Sequence, residues 1–218
     1  MSTEPALLVV LGGSGLAVGS WMRARLRRSP AQAASVAVGS RAFELGNAAL
    51  WSAAGLRFGP HLVIIPYLVL FSVLLALSVI DLEQYILPNR ITYPAIVFAL
   101  LAIPIVSIVI GRSDAIVGAL AGGAGYFLFL FIPAAVYPKG MGFGDVKLAG
   151  LMGLYLGWIH PFLPFPALII ASLVGLLAGL VLLIRRGTSR PYPFGPWLAL
   201  GCVLAILFSG PLLASYGY

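Results

Sequence analysis

Hydrophobic residues in this chain come in long unbroken blocks, not in the alternating or one-faced patterns of a soluble core. Blocks run over about residues 5–22, 61–80, 91–110, 115–136, 146–158, 167–184 and 194–213. A run of about 20 apolar residues is the length of an α-helix that crosses bilayer hydrocarbon. Residues 42–57 (AFELGNAALWSAAGLR) form a shorter, less apolar helix carrying Glu44 and Asn47. That helix spans only where the bilayer is thin or neighbours pack around it. Counting it as a crossing predicts an all-α, polytopic membrane bundle of about eight transmembrane helices, with no internal repeat and no soluble domain. The breaks carry turn chemistry: Pro88 in LEQYILPNR, Gly111–Ser113 before a capping Asp114, the loop YPKGMGFG, and the Pro-rich HPFLPFP. Glycines spaced by four (Gly15/Gly19, Gly118/Gly122, Gly153/Gly157, Gly175/Gly179) predict close backbone approach between helices.

Composition agrees. The chain is 61% hydrophobic and 9% charged, where soluble domains keep about a quarter of their residues charged. Its mean hydropathy is +1.06. The net charge of +7 does not point to nucleic acid, because the basic residues sit in short loops between spans. There they set topology and meet anionic lipid. With eight crossings, Arg23, Arg25, Arg27, Arg28, Arg41, Arg90, Lys139, Lys147, Arg185, Arg186 and Arg190 fall on one side, and Arg57 and Arg112 on the other. The positive-inside rule makes the first side cytoplasmic and leaves both termini outside. The first block has no basic segment before it and no convincing cleavage site, so it reads as a retained span. The one cysteine, Cys202, excludes an internal disulfide and a multi-cysteine metal site. His61 and His160, and Trp21, Trp51, Trp158 and Trp197, read as residues of the membrane interface.

Six acidic residues remain to be assigned. Glu4 is terminal, Glu44 faces Arg41, and Asp114 caps a helix. Asp81 ends one span and Asp145 begins another, with two crossings between them, so both carboxylates lie at the cytoplasmic edge. Two readings stay open. In one they are unrelated: Asp145 caps a helix starting near Val146, or an Asp pairs with Lys147 or Arg90. In the other they meet. Two close carboxylates do not both ionise cheaply, so one keeps a proton. The ionised partner then takes a proton from water while the neutral one donates toward a scissile carbonyl. Gly142 and Gly144 carry no side chain, which lets a substrate backbone lie close to the loop.

The strings IDLEQYILPNRIT (80–92) and GMGFGDVKLAGLMGLYLG (140–157) resemble the type IV prepilin peptidases, aspartic proteases with a GxGD signature. The resemblance covers nearly the whole chain. Residues 1–59 resemble the first helix, a reduced basic cytoplasmic loop and a short second helix, and residues 60–218 the membrane catalytic core. It implies Asp81 and Asp145 as the catalytic pair, and a substrate site around Gly142, Gly144, Lys147, Glu83, Pro88 and Asn89. Glu83 either perturbs Asp81 or meets a basic leader, or is a solvated loop residue. Lys147 contacts lipid, loop carbonyls or the pair. The implied partners are prepilin or pseudopilin precursors, cut on the cytoplasmic side of a bacterial inner membrane. Many members of the family carry a larger loop after the first helix with two Cys-x-x-Cys pairs that bind zinc. Here that loop is about 20 residues without cysteine, so no metal and no cofactor are expected, and N-methylation of the product is in doubt. Two alternatives use the same residues differently: a proton-coupled transporter, and an inactive secretion-system scaffold.

Overall fold

The computed structural model describes residues 3–27, 41–137, 142–186 and 193–215. The rest of the first basic loop, Lys139 to Met141 of the 137–144 loop, and the loop from 187 to 192 lie outside the described residues. Nine helices are described: α1 (Thr3–Arg27), α2 (Ala42–Phe58), α3 (Ile64–Gln84), α4 (Asn89–Val109), α5 (Asp114–Val136), α6 (Phe143–Ile159), α7 (Pro164–Arg186), α8 (Gly195–Leu207) and α9 (Ser209–Ser215). Five are long and apolar enough to cross a membrane: α1, α3, α4, α5 and α7. Of the other expected crossings, α2 and α6 have 17 residues each and α8 has 13. The expected last span is two helices. Pro211 has no N–H to give the carbonyl of Leu207, so the ladder fails there, and Ser209 Oγ instead donates to the Ile206 carbonyl at 2.9 Å.

The described helices belong to two compact units, Met1–Glu83 and Gln84–Tyr218. In the first, α1 lies directly on α2. A methyl group at Gly15 would stand 2.9 Å from Cα of Ala48, and one at Gly19 would stand 3.0 Å from Cα of Glu44. The close approach at Gly19 brings Arg23, one turn on, to Glu44, where Nη2 and Oε1 are 2.7 Å apart. This pair replaces the expected Glu44–Arg41 pair. It is available because α1 stays helical through Arg23, Arg25 and Arg27, beyond its expected end at residue 22. A buried polar chain then fastens α3 to the other two helices. Asn47 Nδ2 donates to the Gly15 carbonyl at 2.8 Å, Ser72 Oγ lies 2.8 Å from Asn47 Oδ1, and Trp51 Nε1 donates to Ser72 Oγ at 2.9 Å.

In the second unit α6 is the centre. Hydrophobic around most of its surface, it is buried over most of its length, with α4, α5, α7 and α8 packed on it and a part-exposed strip at Phe143, Lys147 and Gly150. Two of the expected glycine pairs meet here. A methyl group at Gly118 would stand 2.7 Å from the carbonyl oxygen of Gly157, and one at Gly122 would stand 2.6 Å from that of Gly153. The reciprocal positions on α6 are tighter still. Trp158 Nε1 donates to Ser107 Oγ at 2.8 Å, a buried bond from α6 to α4. Gly201 of α8 sits on Ala167 and Ala171 of α7 in the same backbone-to-backbone manner. Two capping expectations fail. Ser113, not Asp114, is the N-cap of α5 and makes no side-chain cap bond, while Asp114 lies in the first turn. Gly142 is the N-cap of α6, which starts three residues before Val146.

Replacing Gly153 with Val should destabilise the protein by about 3 kcal/mol, because the added atoms meet backbone that cannot move aside. Gly125 has nothing within 4 Å of its Cβ position, so Gly125→Ala should leave stability unchanged or slightly raised. Denaturant unfolding in detergent micelles separates the two.

Candidate active site

The site residues of the second unit gather where α4 and α6 begin. Tyr85 turns the chain in the left-handed region at φ 57, one residue past the end of α3. Pro88 then stands as the extended N-cap of α4 at φ −69, ψ 125. Its fixed φ and its effect on the residue before it keep 85–88 out of helix, and α4 starts at Asn89. On the facing element, Gly142 is extended at φ −71, ψ 137, and α6 starts at Phe143.

Two contacts join these elements. Gly144 lies under Leu87: a methyl group at Gly144 would stand 3.0 Å from Leu87 Cβ and 3.3 Å from Cδ1. The missing side chain of Gly144 therefore makes room for the Leu-Pro-Asn loop. Lys147 Nζ donates to Asn89 Oδ1, so the first residue of α4 is tied to the first turns of α6. The Lys147 ammonium also lies 5.2 Å from the ring centre of Tyr93 and 5.3 Å from that of Phe143, at a distance where ring faces attract a cation.

Asp145 is the third residue of α6. Its N–H donates to the Gly142 carbonyl at 3.0 Å, and its side chain is half-buried. It stands in the first turn, where the partial positive charge of the helix end favours an anion. It is not the cap of the helix. Gly142 is exposed, and a methyl group there would stand 3.6 Å from Asp145 Oδ2, an ordinary contact. In the first unit, Asp81 is buried in the last turn of α3 at 5% exposure. Glu83 is exposed in that same turn, so the 82–90 stretch opens as a helix end and leaves helix before Pro88.

The structure thus brings together Pro88, Asn89, Gly142, Gly144, Asp145 and Lys147, and adds Leu87, Tyr93 and Phe143. Phe143 and Lys147 are spaced i, i+4 on one helix, as are Asn89 and Tyr93. That spacing puts each pair on one face and is the signal in the sequence for the aromatic seat of Lys147.

A model of the type IV leader peptidase family matches residues 68–184, a range that contains Asp81 and Asp145. Among curated proteins, a prepilin leader peptidase/N-methyltransferase of Bacillus subtilis (strain 168) is 36% identical over 179 residues, covering 80% of this chain and 68% of the relative. The protein of the same name from Pectobacterium carotovorum subsp. carotovorum is 34% identical over 197 residues, covering 87% and 67%. That from Aeromonas hydrophila is 33% identical over 204 residues, covering 90% and 66%. No solved structure matches the chain.

Gly144→Val should push Leu87 from its seat and speed amide exchange at Ile91 and Thr92, whose N–H groups donate to the Pro88 carbonyl, by about tenfold or more. Gly142→Ala should leave that exchange unchanged. Hydrogen–deuterium exchange with peptide mapping reads both.

Proposed function

This chain belongs to the type IV leader peptidase family and is a peptidase; from that premise we propose that it removes the short basic leader of prepilin-like precursors at the cytoplasmic face of a bacterial inner membrane, with Asp81 and Asp145 as its catalytic pair. The observation that carries this reading is the seating of the Leu-Pro-Asn loop on the first turns of α6. Leu87 covers Gly144 and Asn89 holds Lys147. The loop that follows Asp81 is thereby fixed to the turn that carries Asp145.

In the proposed reaction one carboxylate is ionised and takes a proton from water. The other, protonated, donates to the oxygen of the scissile carbonyl. Attack of hydroxide gives a tetrahedral centre, and its collapse releases the leader with a new carboxylate and the mature chain with a new amine. Gly142, exposed and without a side chain, lets the substrate backbone lie beside Asp145. Gly144 and Lys147 act one step back, through Leu87 and Asn89, as positioning residues, and Pro88 sets the turn between them. Glu83, exposed one residue beyond Leu82 in the last turn of α3, is a carboxylate suited to a basic leader. The precursor class comes from the names of these relatives, and the side of cleavage from the positive-inside distribution of the basic residues. Methyl transfer is not part of the proposal.

Asp81→Asn and Asp145→Asn should each lower leader removal by a factor of about a thousand or more, as loss of half of a coupled acid–base pair requires. Co-expression with a prepilin and mass measurement of the product checks this, with membrane insertion confirmed for each variant. Normal processing by either variant would end the aspartyl proposal.

A further inference from the structure

A furrow of about 630 Å³ runs along the second unit between α4, α5 and α6. Its lining includes the small residues Gly123, Ala124 and Gly150 together with Phe127, Leu128 and Leu154, with Leu154 lying against Gly123 and Phe127 against Gly150. Among its lining residues only Lys147 is charged, and it stands at one end between Tyr93 and Phe143. Tyr93, Leu128 and Phe143 are about half exposed, so the furrow opens sideways along its length.

Length and charge narrow what fits. From Phe143 to Leu154 is eleven residues of helix, or about 16 Å. That is half of the roughly 30 Å of bilayer hydrocarbon, the depth of one leaflet. The furrow is apolar along its length, and an extended alkyl chain of one leaflet's depth can be seated along it. The cation at the end selects an anion. Lys147 gives one of its three N–H groups to Asn89 Oδ1, which leaves two for a phosphate. Arg90, exposed in the first turn of α4, lies three residues before Tyr93 and shares its face, so a second cation flanks the same end. The basic leader proposed for the substrate has the wrong sign for that end.

We propose that the furrow binds one anionic phospholipid, with an acyl chain along Gly123, Ala124 and Gly150 and its phosphate at Lys147 and Arg90. The lipid belongs to the leaflet that faces the start of α6. Bound there, it covers the apolar faces of α4, α5 and α6 and adds a ligand to the Lys147 that ties α6 to Asn89. The site is independent of whether Asp81 and Asp145 form the catalytic pair.

The test is native mass spectrometry of the full chain in detergent, with phosphatidylglycerol or phosphatidylcholine of the same acyl chains added. Both headgroups carry a phosphate, but that of phosphatidylcholine is offset by its quaternary ammonium. Each cation near a net anionic headgroup accounts for about a fivefold preference, so one phosphatidylglycerol should be retained about 25-fold over phosphatidylcholine. Arg90→Gln should cut that preference about fivefold. Ala124 is exposed in the furrow, so Ala124→Trp should fill it and abolish retention of the lipid, with the melting temperature unchanged. Inorganic phosphate at equal concentration should not displace the lipid, because it gains nothing from the apolar furrow. Equal retention of the two lipids would overturn the proposal, as would displacement by phosphate or a wild-type preference in Arg90→Gln. So would an Ala124→Trp protein that keeps its phosphatidylglycerol but cleaves precursor more slowly in lipid-free detergent; the furrow would then hold the substrate's helix.

Discussion

The contact on which the second unit depends is the meeting of α5 and α6 at four glycines. Lipid tails are as apolar as leucine, so no hydrophobic driving force brings two membrane helices together. Close packing must supply the attraction instead. At Gly118, Gly122, Gly153 and Gly157 each backbone occupies the space where the other would carry a Cβ. Carbonyl oxygens then approach the facing Cα atoms, a recurring weak contact between helices. With α6 fixed on this side, α4, α7 and α8 complete its surround. The turn that carries Asp145 is therefore the end of a rod packed over most of its surface.

The first unit reaches a comparable fixity by polar means. Gly15 and Gly19 bring α1 onto α2, and the Asn47–Ser72–Trp51 chain adds α3. Interhelical hydrogen bonds in membranes are worth only about 0.6 kcal/mol each on average, so their larger effect is on register. Asn47 meets both the Gly15 carbonyl and the Ser72 hydroxyl at one rotation and one height of the helices. Arg23 and Glu44 add a pair at the same end of α1. Holding α3 in register holds the helix whose last turn contains Asp81.

Much of this was legible in the chain, for reasons that can be named. Two of the four-residue glycine spacings are the α5–α6 seam, and a third is the α1–α2 contact, because close approach leaves no alternative residue. The pattern marked each helix up to α7 but displaced ends, and it merged α8 and α9 into one block. The first block was ended at residue 22, yet arginines are good helix formers and α1 runs on to Arg27. Both capping expectations named the acidic residue as cap, but the caps are Ser113 and Gly142, and the acids lie inside the first turn. A carboxylate favours both places, so residue type alone does not separate them. The seat of Leu87 on Gly144 was not legible: it joins positions 57 residues apart in the sequence, and nothing local in either marks the other.

Position along the helices also separates the peptidase reading from the proton-relay alternative. A relay through the membrane needs ionisable groups near its middle, on broken helices facing a central site. Asp81 lies in the last turn of its helix and Asp145 in the first turn of its own. The remaining acids whose side chains are described do not make up a relay: Glu44 pairs with Arg23, Asp114 opens α5, and Glu83 shares the turn of Asp81. Hydrolysis has the opposite requirement. On the proposed function water is a reactant, the leader is polar, and only the segment after the cut is apolar. Carboxylates at helix ends meet all three conditions, because there the chain can supply polar backbone and a glycine-cleared approach while the packed glycine seam keeps the turn in place.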